Sequence, residues 1–566
     1  MEQVMKDLAY KYAVKNAFEH EFKADLKAVI GKLIALDKDF SKNLSKEIKE
    51  VNEIVEKVNS MKREGIEREY KRFEGSYELK PQEQREGLKE LDWAQEGKIV
   101  TRFAPNPNAP FHIGNARAAY MSYAYTKKYG GKFILRFDDT DPKVKKSIEN
   151  AEQIFLEDLE WLGIKTDTTY FASDRLEIYF RYMRKLVLMG KAYVCTCQKE
   201  EWKKCIDAKK WCPCRELPEE VQLERYDKMQ KHEYKEGKAV LRLKTDLNSD
   251  DPSVRDWWMA KIVDEPEHPR IKVPVHVWPS YNFASAIDDH ELNVTYIIRG
   301  QEHAQNAVKQ KFLYDYLGWV YPHVSLIGRI KLEGVILSKS AINKGIEEGL
   351  YQGYDDPRLG TIRALRRRGF RAEVIIEALE DIGIKSSDAT ISMKALIAMN
   401  KKLIDREAER FTFINDPIKF DVQFVPKMKV EKVIHPDFPE RGARAYELNE
   451  GTQTFYVPKK ELEGIKEGQV VRLRHAVNAK IVELSEERVF AEFVGTGKLE
   501  NNPIISWVLE EVGASVLMPD AEKLYGIIDY EASLKETGSY VQLEKFGYAI
   551  IDSKDMHQLN LWFCHE

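Results

Sequence analysis

Residues 101–120, T-R-F-A-P-N-P-N-A-P-F-H-I-G-N-A-R-A-A-Y, narrow the choice of fold more than any other part of the chain. A short β-forming run enters a turn in which Pro105, Pro107 and Pro110 each fix their own φ, and small residues then predict a helix. His112, Gly114 and Asn115 stand at the helix start. The first-turn N–H groups of a helix are unpaired and partly positive, so this end is a candidate phosphate site. Gly114 lets the backbone approach a ligand, and His112 and Asn115 add side-chain donors.

A His-x-Gly tripeptide alone would read as an ordinary turn. Here a second strand follows, residues 133–142, F-I-L-R-F-D-D-T-D-P, at the distance expected of a β-α-β unit. It ends in three carboxylates, and the carboxyl ends of parallel strands are where ligands bind in open sheets. Together these stretches resemble the class I aminoacyl-tRNA synthetases: F-H-I-G-N is similar to their HIGH motif. R-F-A-P-N-P-N and L-R-F-D-D-T-D-P resemble the glutamyl and glutaminyl branch in particular.

The resemblance extends over residues 98–566 and implies a multidomain α/β and β architecture. Residues 1–95 precede it as a Lys/Glu-rich helical appendage. Its apolar positions recur at helical spacing, as in Leu26, Val29, Ile30, Leu33 and Ile34, then Ile48, Val51, Ile54, Val55 and Val58. Such a domain either does structural work only or docks tRNA or a protein partner. Residues 96–190 form the first half of a Rossmann-like catalytic domain, including a helix expected over residues 147–162.

Residues 191–266 are an insertion holding five of the six cysteines. Clustering of that kind points to metal in a reducing compartment rather than to disulfides. The C-x-C pairs Cys195/Cys197 and Cys212/Cys214 give four thiolates for a closed structural Zn²⁺ site, reduced cysteines without metal being the alternative. Some glutamyl enzymes of the branch carry a zinc knuckle in this acceptor-binding insertion, and Cys205 is then a spare thiol or a substitute ligand.

Residues 267–330 resume the catalytic fold. Residues 294–299, V-T-Y-I-I-R, read as a buried strand ending in Arg299. The resemblance separates two substrates here, because glutamyl enzymes carry arginine at this position and glutaminyl relatives a neutral residue. An arginine buried beside a glutamine side chain is left without its anion, at a cost of about 3–5 kcal/mol. Glutamate is therefore the expected substrate, with a glutaminyl enzyme as the alternative.

Residues 331–412 hold L-S-K-S, similar to the second class I signature with Ile336 in place of its first lysine, and then a helical stem-contact segment. Lys339 is expected on a mobile loop, where its ammonium can follow charge on the phosphates. Arg363, Arg366, Arg367 and Arg368 concentrate positive charge suited to tRNA phosphates, or else form a solvated basic face. From residue 413 to 566 short alternating strands take over, resembling the anticodon-binding β-barrels of archaeal and eukaryotic glutamyl enzymes.

The resemblance implies activation of L-glutamate by ATP, with Mg²⁺, and transfer of the glutamyl group to the terminal adenosine of tRNA. His112, Asn115 and Lys339 are the expected catalytic residues, and ATP would also meet Gly114, Arg329 and Ser338. Arg102, Ala104, Asn106, Asp138, Tyr281, Ser285 and Arg299 would hold glutamate. A net charge of −4 gives no support to a globally basic nucleic-acid binder, although a local basic face suffices. No apolar run approaches the ~18 residues of a membrane span, and the charged first ten residues do not suit a signal peptide. A cytoplasmic monomer is expected.

Overall fold

Five parallel strands form the sheet that carries the site, in the order Thr168–Phe171, Lys132–Phe137, Val100–Phe103, Tyr296–Gly300, His323–Ile327. Helices cover it, which is why its strands are near-continuous apolar runs such as F-I-L-R-F and Y-I-I-R-G. The strand order reverses beside Val100–Phe103, so a crevice opens at the carboxyl edge between that strand and Tyr296–Gly300. Arg102, Arg136 and Arg299 all lie at or next to the carboxyl ends of their strands. The chain was computed as a structural model that describes residues 3–20, 22–36, 44–73, 88–144, 147–148, 150–499, 501–555 and 558–566.

Helix Ile113–Lys128 follows the first strand directly. Its Arg117 is fully buried and meets no carboxylate; instead it donates to the carbonyls of Gly328, Gly383 and Lys385 at 2.7–3.0 Å. Gly328 permits that seat, because a Cβ there would lie 2.1 Å from the Ser387 carbonyl oxygen. The helix expected over residues 147–162 is Ala151–Trp161, and Asn150, at φ 54°, takes a left-handed turn just before it. Ile148 instead donates its N–H to the Pro107 carbonyl at 2.9 Å, securing the proline turn.

An antiparallel sheet of Ala192–Cys195, Val240–Leu243, Trp258–Ile262 and Val277–Pro279 makes up the insertion. After the catalytic sheet come helices Lys339–Glu347, Ile362–Arg367, Ala372–Ile382 and Met393–Ile404. The chain stitches this segment onto the first signature: Ile362 N–H donates to Phe111 at 3.0 Å and Ile113 N–H to Gly360 at 3.2 Å. Gly360 N–H in turn donates to Ile336 at 2.9 Å.

The β region begins with Glu409–Phe411 and forms sheets of seven and six strands. The two share a repeated hairpin. Val470–Leu473 pairs with Asn478–Leu484 as Tyr540–Leu543 pairs with Gly547–Lys554, with Val471 opposite Ala479 and Val541 opposite Ala549. Each second strand carries two bulges against its next neighbour. Bulges sharpen local twist, which helps short strands curl around the cores built on Phe420, Val471 and Trp507, and on Phe411, Val541 and Leu561.

Residues 1–87 are a separate compact unit. Helices Gln3–Glu19, Leu26–Leu36, Leu44–Asn59 and Arg63–Arg72 pack Ala13, Val29, Leu33, Val51, Val55 and Val58 together. Asn59 closes the first turn between helices, accepting from Ala24 N–H at 2.6 Å and donating to its carbonyl at 3.1 Å. The side chain of Ile34 lies outside the described residues.

Candidate active site

His112 is the N-cap of helix Ile113–Lys128, and its Nδ1 accepts from Gly114 N–H at 3.1 Å. That bond puts the imidazole proton on Nε2, away from the cap. A Cβ at residue 114 would press on the imidazole at 3.0 Å, so glycine gives the ring its place. Burial, and then the nearby Lys339 ammonium, lower the His112 pKa to about 4. The ring is therefore a neutral donor at physiological pH. Asn115 sits half-buried in the same first turn.

Behind this helix end lies a buried network of arginines and aspartates. Arg136 donates from Nε to Asp138 at 2.8 Å, from Nη1 to Asp289 at 2.7 Å and from Nη2 to Ser285 Oγ at 2.8 Å. Arg102 places its Nε and Nη2 on the two oxygens of Asp289 at 3.1 and 3.4 Å. Asp288 accepts from Arg175 at 2.7 Å and from Tyr179 at 2.6 Å. With Arg299, four guanidinium groups face the three carboxylates of Asp138, Asp288 and Asp289, leaving one positive charge for a ligand.

Three members, Asp138, Arg175 and Arg299, keep polar atoms in reserve. The Asp138 Oδ2 and the Arg299 Nε and Nη2 are buried and have no hydrogen-bond partner in the structure. Nε and Nη2 form the side-on fork of a guanidinium, which matches the two oxygens of a carboxylate. Burial raises the Asp138 pKa to about 6, with Arg136 opposing the shift. Burial also disfavours the charge on Asp289, but Arg102, Arg136 and Arg299 together hold it below the usual carboxylate range.

Several expected glutamate contacts make hydrogen bonds within the chain. Arg102 places its fork on Asp289, and Ser285 accepts from Arg136, so both belong to the network. Asn106 donates to the Asp138 carbonyl at 3.0 Å and accepts from Asn108 N–H at 3.2 Å, shaping the turn. Tyr281 begins helix Tyr281–Glu291 and is half-buried. Ala104, half-buried, directly follows the first strand. Sequence reasoning missed Arg136, Asp288 and Asp289. The signal was available in F-A-S-A-I-D-D-H, where adjacent carboxylates in an apolar helix demand buried cationic partners.

Lys339 stands not on a loop but as the first residue of helix Lys339–Glu347, after Ser338 at the exposed N-cap. Ser338 makes no side-chain cap bond. Arg329 is 69% exposed, its Nε 3.9 Å from Glu302. Among the four expected tRNA arginines, three are engaged within the chain. Arg363 pairs with Glu157 at 2.6 Å, and Arg367 with Asp355 at 2.5 Å and Asp552 at 2.7 Å. Arg368 is buried and donates to the Pro357 carbonyl. Arg366 remains exposed.

The four cysteines converge: Cys195 and Cys212 sulfurs are 3.8 Å apart, those of Cys197 and Cys214 3.7 Å, and all four lie within 4.8 Å of one another. Zn–S bonds of about 2.3 Å at tetrahedral angles require S–S separations of about 3.8 Å. Thr196 N–H and Arg225 Nη1 point at Cys214 Sγ, at 3.5 and 3.3 Å, as donors to a thiolate would. Cys205, on helix Lys199–Asp207, stands outside the quartet. A separate cavity of about 250 Å³ in the β region is lined by Arg410, Lys432, Arg474, His475, Trp507 and Glu544. The Nε atoms of Arg410 and Arg474 are buried and without a partner.

The family model described as "tRNA synthetases class I (E and Q), catalytic domain" matches residues 98–406, and that of the "anti-codon binding domain" matches residues 408–494. The chain is 47% identical to the glutamate–tRNA ligase of Pyrococcus furiosus, over 99% of this chain and 100% of that protein. Identity is 46% to that of Thermococcus kodakarensis and 41% to that of Methanothermobacter marburgensis, each over 100% of both chains. Among solved structures, a glutamate tRNA ligase of Elizabethkingia meningosepticum in complex with its amino acid gives a TM-score of 0.40 at 22% identity. It covers 55% of this chain and 70% of that one.

Proposed function

The chain belongs to the class I tRNA synthetases of the E and Q branch, and from that premise we propose how its residues perform glutamate–tRNA ligation. The enzyme joins L-glutamate to tRNA with ATP, through a glutamyl-adenylate, and the family works with Mg²⁺. The observation that carries the residue assignment is the open side-on fork of Arg299 in a network with one positive charge to spare.

The fork of Arg299 receives the side-chain carboxylate, and the spare Asp138 oxygen receives the α-ammonium. Glutamate, with a net charge of −1, neutralises the network; glutamine brings no net charge and leaves Arg299 uncompensated. The α-carboxylate attacks the ATP α-phosphate in line, the bond to the β-phosphate breaks and pyrophosphate leaves, a step that needs position and charge neutralisation rather than covalent catalysis. The His112 Nε2–H, the Asn115 side-chain amide and the Lys339 ammonium supply donors to the phosphates. Mg²⁺ supplies further neutralisation of the triphosphate when bound. The terminal adenosine hydroxyl of tRNA then attacks the mixed anhydride carbonyl and AMP leaves.

Zn²⁺ fits the cysteine quartet as a structural ion, holding Cys195 and Cys197 at the end of one strand against Cys212 and Cys214. Arg366 and the cavity in the β region are the expected contacts with tRNA. Measuring ATP–pyrophosphate exchange with glutamate and with glutamine, each with and without tRNA, tests the reading. Exchange with glutamate in the presence of tRNA supports it, and exchange with glutamine instead overturns the role of Arg299.

A further inference from the structure

Arg299, one residue before the end of its strand, has a guanidinium that touches no carboxylate directly among the described residues, so something else must fix its direction. That partner is Gln310, six residues into helix Ala304–Leu317 and fully buried. The Gln310 Oε1 accepts from Arg299 Nη1 at 3.1 Å and from the Tyr321 hydroxyl at 2.9 Å. Its Nε2 lies 3.5 Å from the Asn282 carbonyl, one residue after Tyr281. An amide carries two acceptor positions and two donors on opposite sides, so these contacts leave little freedom to flip or rotate.

We infer that Gln310 is a positioning residue for substrate choice: it grips the far edge of the Arg299 guanidinium and turns the open Nε–Nη2 fork toward the amino-acid side chain. The inference rests on the assignment of Arg299 to the substrate carboxylate. Gln310 is neutral, and its neutrality matters as much as its geometry. A carboxylate at the same place would pair with Arg299 from behind and remove the positive charge the substrate is meant to meet. Tyr321 restrains the same oxygen from the other side and keeps the amide from following Arg299 if the arginine swings.

The test compares wild type with Gln310→Glu, Gln310→Met and Tyr321→Phe, using tRNA-dependent ATP–pyrophosphate exchange with glutamate and glutamine at saturating ATP. Gln310→Met keeps the length of the side chain and loses the acceptor. It should raise KM for glutamate about tenfold, as expected for one lost hydrogen bond to a charged group, with KM for ATP unchanged. Gln310→Glu should lower the glutamate-over-glutamine ratio of kcat/KM further than Gln310→Met does. Tyr321→Phe should fall between wild type and Gln310→Met. A merely structural role would depress kcat or melting temperature and leave that ratio alone.

An unchanged ratio in folded Gln310→Glu and Gln310→Met proteins overturns the inference while wild type still activates glutamate. A wild type that does not activate glutamate overturns the underlying assignment instead. Should either Gln310 variant fail to fold, the Tyr321→Phe ratio decides, a wild-type value counting against the inference.

Discussion

Arg136 holds one oxygen of Asp138 at 2.8 Å and leaves the other buried without a partner. A carboxylate so placed has its direction set by an arginine and its remaining valence set aside for a cation. Burial nevertheless lifts its pKa to about 6, above the ~3.9 of a free aspartate. The folded protein therefore keeps this proton as the pH rises from 4, and gives it up only on passing 6. Only the ionised form can hold an ammonium, so kcat/KM for glutamate should fall about tenfold between pH 7 and pH 5. His112, neutral down to about 4, takes no part in that limb. A pH profile of His112→Asn should retain the limb near 6 at lower absolute activity; loss of the limb in that variant would reassign it to the imidazole.

Replacing the arginine that carries the open fork should change which amino acid is accepted. Arg299→Cys removes a buried cation whose abandonment by glutamine costs about 3–5 kcal/mol, so the preference for glutamate should drop by two to three orders of magnitude or so. Competition between the two amino acids in tRNA-dependent exchange reads the change directly. A preference that stays at its wild-type value would show that another group selects the side chain.

The sulfur quartet predicts one equivalent of zinc in purified protein, measured by plasma mass spectrometry. Cys212→Ala should lose the metal and lower the melting temperature, because metal binding at a structural site is also folding energy. Cys205→Ser should keep both at wild-type values, since its sulfur stands outside the quartet.

The arginines of the stem-contact segment should separate into two behaviours. Arg366→Ala should weaken tRNA binding, reduce the salt dependence of log K by about one and leave the melting temperature in place. Arg368→Ala removes a buried side chain packed near Phe370 and should lower the melting temperature. Equal effects of the two on tRNA affinity and on stability would mean that exposure does not separate their roles.

What could be read from the sequence was what is local in it. The turn into helix Ile113–Lys128 follows from prolines, glycine and a capping histidine within a few positions, and the cysteine quartet announces itself by clustering. The strand ending in Arg299 was legible in its apolar run, while the role expected of Arg299 came from the family resemblance. What was not legible was the set of partners that come from far along the chain. Asp289 for Arg102, Glu157 for Arg363 and Asp552 for Arg367 are partners that sequence spacing does not announce. Gln310 gave no signal, since a glutamine in a helix of near-even polarity resembles any surface residue. Lys339 was expected on a loop because its flanking serines suggest one, yet Ser338 serves as a helix cap position.

The backbone bonds joining Phe111 and Ile113 to Gly360 and Ile362 make one seam of the two halves of the machine. His112 lies on one side of that seam, and the helix bearing Arg366 begins on the other. On the proposed assignments, two ligands as different as a nucleotide and a folded RNA lean on a common hinge of main chain. Whatever work the RNA does on the seam when it arrives must reappear, with equal size, in how tightly the nucleotide is held, because coupled binding is reciprocal.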